Sequence, residues 1–320
     1  MKTQIIMVTF LSCCLMAVDT AAIAQDVVNQ KAVLVTGASS GIGLRIAEVL
    51  ADNGYYVYAG ARKAEDLRRL DALDNVSSVR LDVTVQEDID AAVDYVRIEG
   101  RGLWGIVNNA GVVVLSPLAS GSDANVRFTF DVNVFGPVRI NQAFLPLVTE
   151  SRGRTTTIGS ISGFIADSGD SGYSASKFAI EGYTDSLAME LAESGVHVSV
   201  VDPGTYKSEI RGKMVAQLLA AADAGEVELD DAERAEMIKT EFGNDELPEP
   251  DDVAIAVLHA MSSDRPKRRY MVTPNKEQAN LTIRSAMQRL LELNDDQPYS
   301  YNRAQLIALL DELQGKMDAE

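Results

Sequence analysis

Tyr173 and Lys177 stand four residues apart, a spacing that puts two side chains on one face of a helix. A phenol with its ordinary pKa of ~10 is a poor base at neutral pH, but a neighbouring ammonium favours the phenolate. A tyrosine so tuned can take a proton from an alcohol, or give one to a carbonyl oxygen, as hydride leaves or arrives. Taken alone, the same pair is common on solvated helices. A second feature upstream gives it a context. The run Ala32-Val33-Leu34-Val35-Thr36 leads into glycines at 37, 41 and 43, and a helix-compatible segment follows from Leu44 to Asn53. Such glycines permit a tight turn and let the backbone approach a pyrophosphate, whose charge is met by N–H groups at the helix N-terminus. Three glycines can also be only a tight connection, but the strand before and the helix after favour a dinucleotide site.

The elements that must position these groups alternate along the chain. Short β-rich apolar runs recur at Ala32–Thr36, Tyr55–Gly60, Val76–Leu81, Leu103–Val107, Thr155–Ile158 and Val196–Val201, separated by helix-compatible segments. Strands alternating with helices make βαβ units, hence a parallel sheet covered on both faces. A seventh run at Arg269–Thr273 completes an α/β fold: a doubly wound, Rossmann-type parallel sheet of about seven strands. No Pro/Gly/Ser-rich linker interrupts it, so 25–274 reads as one domain, with ligands expected outside the carboxyl ends of the strands. Residues 275–320 read as a C-terminal extension of two amphipathic helices interrupted at Asn294-Asp295-Asp296-Gln297-Pro298.

Within this frame Thr36-Gly37-x-x-x-Gly41-x-Gly43, Asn108-Asn109-Ala110-Gly111, Asn133, Ser160, Tyr173-x-x-x-Lys177 and Pro203-Gly204 follow one another in an order and spacing that resembles the short-chain dehydrogenase/reductase family. The match covers about residues 31 to 210, and Phe130 to Pro203 looks most like the hydroxysteroid and retinol dehydrogenase branch. The resemblance implies an NAD(P)-dependent oxidoreductase acting on a carbonyl or alcohol. It also implies that Lys177 holds the nicotinamide ribose as well as tuning Tyr173, and that Asn133 holds a water linking Lys177 to solvent. Ser160, just past the fifth strand, would hydrogen-bond the substrate oxygen and stabilise its developing charge. Read singly, Ser160 is a loop serine with Ser162 as its equal, and Asn133 can cap a helix or brace the sheet. By the same resemblance the cofactor lies against Gly37, Ser39, Ser40, Gly41, Ile42 and Gly43 in the first turn. Arg62, Asp82 and Val83 follow the second and third strands, Asn109, Ala110 and Gly111 the fourth, and Pro203, Gly204 and Thr205 the sixth, with Tyr173 and Lys177 completing the set.

The end of the second strand bears on which nicotinamide is used. In Tyr58-Ala59-Gly60-Ala61-Arg62-Lys63 no carboxylate stands ready for the ribose hydroxyls of NAD, whereas Arg62 offers a planar fork suited to the extra phosphate of NADP. NADP is therefore the expected cofactor, with adenine stacking the alternative use of Arg62. Asp82 resembles the family residue that recognises the adenine amino group, or else caps the next helix. The resemblance also implies that the segment from Thr205 to about Asn244 closes over the substrate, and its apolar stripe of Met214, Leu218, Leu219 and Ala220 to Ala222 suggests a lipophilic ketone or alcohol, steroid-like or retinoid-like. A non-catalytic dinucleotide-binding module for redox sensing or assembly is the competing function.

Composition narrows the partners. Of 320 residues, 46% are apolar and 24% charged, as in soluble globular proteins, and a net charge of −18 opposes polyanions, so no nucleic acid is expected. Residues 223 to 252 hold 13 acids against Arg234 and Lys239, so the excess is local. His197 and His259 lack metal-ligand spacing, and no metal site is expected. A homo-oligomer is what the resemblance implies. At the N-terminus Lys2, an apolar run from Ile5 to Val18 and Ala22-Ile23-Ala24 read as an export signal over residues 1–24. The run falls short of the ~20 residues that span a bilayer, which weakens the reading as an anchor. Translation from Met16, giving a cytoplasmic protein, is the third reading. Both cysteines, Cys13 and Cys14, lie in this segment, so the rest of the chain holds no disulfide.

Overall fold

The computed structural model describes residues 30–114, 123–166, 170–223 and 246–319, with isolated positions between 225 and 238. The expected export signal, and much of the acid-rich stretch after residue 223, lie outside the described residues. Lys31–Glu320 cluster as one compact unit.

Seven parallel strands form a single sheet: β1 (Ala32–Val35), β2 (Tyr56–Ala61), β3 (Val76–Arg80), β4 (Gly105–Asn108), β5 (Arg154–Ile158), β6 (His197–Pro203) and β7 (Arg269–Val272). Their order is β3-β2-β1-β4-β5-β6-β7, with β4 at the centre and β1 beside it. The helices are α1 (Gly41–Asp52), α2 (Ala64–Leu70), α3 (Gln86–Glu99), α4 (Asp123–Phe130), α5 (Gly136–Ser151), α6 (Ser171–Glu190), α7 (Glu209–Asp223), α8 (Asp251–Ser262), α9 (Lys276–Asn294) and α10 (Arg303–Ala319). A single π turn, Asp131–Phe135, joins α4 to α5. The expected doubly wound fold with its two-helix extension is what the chain adopts.

The period-2 alternation of the strands explains the two layers. Val33 and Val35 of β1 point into one apolar cluster, with α1 and α8, while Ala32 and Leu34 point into the other, with α3 and α5. With both faces covered, β1 is buried at every position and reads as an unbroken apolar run. β5 obtains the same effect from Thr155, Thr156 and Thr157, β-branched residues that suit the pleat; Thr155 Oγ1 donates to Asn141 Oδ1 at 2.9 Å. Helix α1 begins at Gly41, three residues before the expected Leu44, with Ser40 in extended conformation before it. The helix N-terminus is thereby brought directly onto the glycine turn. Val215 of α7 is buried, whereas Met214, Leu218 and Leu219 of the expected stripe are only half-buried and Ala220 is exposed.

Candidate active site

Every group singled out in the sequence follows the carboxyl end of a strand or stands beside one. Gly37 follows β1, Arg62 follows β2, Asp82 follows β3, Asn109 follows β4, Ser160 follows β5 and Gly204 follows β6. This is where a doubly wound sheet opens a crevice for a ligand.

The first turn is shaped by close approach. Gly37 has φ +65° and Gly41 φ +55°, and a Cβ on Gly37 would lie 2.9 Å from the Cα of Ala110. Gly43 packs against the Gly37 carbonyl and the Asn109 amide with no room for a methyl. Thr36 and Asn109 stitch this turn to the end of β4. Thr36 Oγ1 accepts the amides of Asn109 and Ala110, each at 3.0 Å, and Asn109 Nδ2 donates to the carbonyls of Thr36 at 2.9 Å and Gly37 at 3.1 Å. A backbone stripped of side chains, with a helix N-terminus aimed at it, fits a pyrophosphate. Ser39, Ser40 and Ile42 belong to the same turn. Ile42 leans on the core, and the Ser40 hydroxyl hydrogen-bonds Glu209 at the start of α7.

The adenosine end is more open. Arg62 is 66% exposed and donates to Asp82 Oδ2 at 3.4 Å, an exposed pair of little energetic weight. Asp82 does not cap a helix. Its Oδ1 accepts the Thr84 amide at 3.0 Å and hydroxyl at 2.7 Å, while Val85 precedes α3. Partial burial raises its pKa, but the Thr84 bonds and the Arg62 charge outweigh this and hold it below the ordinary value. Val83 faces the core, and its carbonyl is taken by Arg139 Nη1. At the other end of the crevice, Gly204 N donates to Val272 O at 2.7 Å, and the Thr205 amide donates to Gln278 Oε1 at 2.8 Å. Pro203 closes β6.

Tyr173 and Lys177 share α6, as their spacing requires, and face the start of the short 3-10 turn Ile161–Gly163. Ser160 caps that turn: its Oγ accepts the Ser162 amide at 3.1 Å and hydrogen-bonds the Tyr173 phenol. This geometry separates Ser160 from Ser162, which contributes its backbone. Asn133 sits in the π turn, where its Oδ1 accepts Val112 N at 2.8 Å, and its Nδ2 donates to Val112 O at 2.9 Å and Ser176 Oγ at 3.1 Å. Asn133 therefore braces the end of β4 against α6, and Gly111 lies beside its Oδ1. A π turn at such a place is a common way of aiming one side chain.

Burial pushes the Tyr173 phenol up to about 12, against the hydrogen bond from Ser160 and aided by the charge of Asp170. Lys177 Nζ donates to Ile158 O at 2.9 Å and lies 5.6 Å from the centre of the Tyr173 ring. Lys177 itself is brought down to about 8 by burial, with Asp202 and Glu181 opposing. A phenol so placed is a protonated acid at neutral pH, suited to giving its proton to a carbonyl oxygen.

Residues 31–219 match the short chain dehydrogenase family, more than half of the chain. The chain belongs to that family. Among the relatives of this short-chain dehydrogenase, the mitochondrial D-beta-hydroxybutyrate dehydrogenase of Bos taurus is 33% identical over 78% of this chain and 79% of its own length. Retinol dehydrogenase 16 of Rattus norvegicus is 34% identical over 76% of this chain and 80% of its own. The solved structure of an actinorhodin polyketide ketoreductase variant with NADPH superposes with a TM-score of 0.65 at 27% identity, covering 79% of this chain and 98% of that one. The protein is thus an NAD(P)-dependent oxidoreductase of a small molecule, which sets aside the non-catalytic module.

Three contacts at the crevice carry no motif. Arg69 of α2 donates to the Ser39 carbonyl, Glu209 reaches Ser40, and Gln278 of α9 holds Thr205. Only Gln278 has a local signal, since Asn275 caps α9 by accepting its amide at 2.9 Å. Among the described residues no cluster of His, Cys, Asp or Glu could hold a metal ion.

Proposed function

We propose that this dehydrogenase interconverts a lipophilic ketone or aldehyde and the corresponding alcohol, using NADP. The observation that carries the reading is the hydrogen-bonded Ser160 and Tyr173 pair beside the buried Lys177, at the carboxyl ends of β5 and β6. When bound, the nicotinamide cofactor supplies or accepts the hydride. Tyr173 donates its phenolic proton to the substrate oxygen in reduction and recovers one in oxidation. The Ser160 hydroxyl orients that oxygen and offsets its developing charge. Lys177, charged below about pH 8, holds the ribose, and Asn133 keeps the wall of the site in register while relaying protons through water. The glycine turn, Arg62 and Asp82 hold the adenosine and phosphates.

Support for a lipophilic substrate comes from half-buried Met214, Leu218 and Leu219 after Pro203-Gly204, and from the retinol dehydrogenase relative. The bovine relative makes short hydroxy acids the second class to test. Purified protein with NADPH or NADH, followed by absorbance against a panel of ketones, aldehydes and hydroxy acids, decides the matter. Exposed Phe128 and Phe135 favour a homo-oligomer, as apolar surface of this kind suits a second copy.

Arg62 is the basis for NADP. Its exposed, 3.4 Å pairing with Asp82 leaves the guanidinium fork available to a phosphate. Wild-type enzyme is expected to prefer NADPH, and Ala61→Asp with Arg62→Ala to shift kcat/KM toward NADH by about a hundredfold, placing a carboxylate where the phosphate would sit. A wild-type preference for NADH overturns the assignment.

Export remains our reading of the N-terminus, on the strength of Lys2, the short apolar run and Ala22-Ile23-Ala24. Mass spectrometry of protein from its native host should show Gln25 as the first residue. An intact Met1, or a start at Met16 in the cytoplasmic fraction, rejects it.

A further inference from the structure

Behind the catalytic face two acidic side chains meet where neither has an obvious reason to be. Asp202 of β6 is 1% exposed and Glu181 of α6 is 8% exposed. Asp202 Oδ1 accepts the amide of Ser160 at 3.2 Å, so this carboxyl holds the backbone of the residue proposed to polarise the substrate. Gly159, immediately before it, has no room for a side chain: a Cβ there would run into Asp202 Oδ1 and lie 3.2 Å from Glu181 Oε1. The two carboxyls therefore converge on one spot, and a glycine is what lets them do so.

The surrounding charges do not separate them. On α6, Lys177 donates its Nζ to Ile158 O while its charge attracts Asp202 and Glu181 alike, and Asp185 lies one turn beyond Glu181. From β7, Arg269 donates to Glu181 Oε2 at 2.6 Å and to Asp185 Oδ2 at 2.9 Å, with Arg268 3.8 Å from Asp185. β5 and the Ile161–Gly163 turn carry no ionisable group on this side. Glu181 Oε1 is buried with no hydrogen-bond partner among the described residues, and both it and Asp202 Oδ1 crowd the Gly159 Cα. Two like charges so close in a buried place are costly, and a proton on Asp202, free to bridge to Glu181, relieves the repulsion.

We infer that Asp202 keeps its carboxyl proton against Glu181 and that the two acids position the catalytic centre, Asp202 by holding the Ser160 amide and Glu181 by fixing Asp202 against α6. This rests on the proposed roles of Ser160 and Lys177. Neither acid touches substrate; both are positioning residues. Burial, then the charge of Glu181 and its hydrogen bond, hold the Asp202 pKa well above the ordinary carboxyl range, against Arg269 and the Ser160 amide. Asp202 should accordingly keep its proton at mildly acidic pH and lose it as pH rises, after which its repulsion from Glu181 releases Ser160.

Asp202→Asn tests this, because its carbonyl still accepts the Ser160 amide and its NH2 can donate to Glu181 with no proton to lose. The folded wild type retains a proton that the unfolded chain releases above pH ~4, so wild type loses stability relative to Asp202→Asn as pH rises toward the folded pKa. The Tm advantage of Asp202→Asn is expected to grow by ~3 °C or more between pH 5 and pH 8. The ratio of its kcat to that of wild type should rise about threefold between pH 6 and pH 9, and Asp202→Ala should lose kcat about tenfold with cofactor KM unchanged. A Tm difference or a kcat ratio independent of pH overturns the inference, as does full activity in Asp202→Ala. If wild type turns over no carbonyl compound, the functional reading fails, and the Tm comparison alone decides the pair.

Discussion

Tyr173→Phe is expected to lower kcat about a thousandfold while leaving cofactor Kd within about twofold of wild type. The substitution removes one oxygen and its proton from a ring held on α6 and hydrogen-bonded to Ser160. Nothing in the glycine turn or in the Thr36 and Asn109 stitching depends on that oxygen, so binding should survive. Stopped-flow or steady-state absorbance with the best substrate from the panel gives kcat, and fluorescence titration gives Kd. Retention of more than about a tenth of the rate removes Tyr173 from the proton step. A large rise in Kd would place the phenol in cofactor binding instead.

The second large effect belongs to Gly37. Gly37→Ala puts a Cβ 2.9 Å from the Cα of Ala110, and does so at φ +65°, where an L residue costs about 1–2 kcal/mol even in free space. The obstacle is backbone, so it cannot swing aside. The turn must open, pulling Thr36 and Asn109 from their bonds and withdrawing the amides that would meet the pyrophosphate. We expect cofactor Kd to rise at least about tenfold and Tm to fall by about 4 °C or more. Titration calorimetry with NADPH and a thermal melt measure both. An unchanged Kd would show that the phosphates bind elsewhere.

The parts of this site that sequence exposes are those written in local geometry. Glycines at 37, 41 and 43 after an apolar run specify a turn, and the turn is present with positive φ at Gly37 and Gly41. The four-residue spacing of Tyr173 and Lys177 specifies a shared helix face, which α6 provides. It does not specify where the lysine ends. That depends on the Ile158 carbonyl, nineteen residues away on β5, and the burial that raises the tyrosine's pKa depends on packing, so neither was legible. Asp82 shows the same limit: an acid after a strand can cap a helix or a turn, and Thr84 decides for the turn. Arg69 and Glu209 reach the crevice from α2 and α7 and obey no spacing rule, because they are brought there by packing alone.

The order β3-β2-β1-β4-β5-β6-β7 has a consequence for synthesis of the chain. Once residue 108 is available, the first four strands can pair around β1. The sheet then grows on one side only, a strand at a time, each through a parallel crossover that closes a long loop and is slow to form. Until β7 arrives, β6 is an uncovered edge, and Glu181 and Asp185 lack Arg269. The strand made last thus supplies the cation that settles the helix carrying Tyr173 and Lys177. A nascent chain arrested before residue 269 would hold the nucleotide turn already formed and the proton-transfer residues still unanchored, so the ability to bind should be acquired during translation earlier than the ability to react.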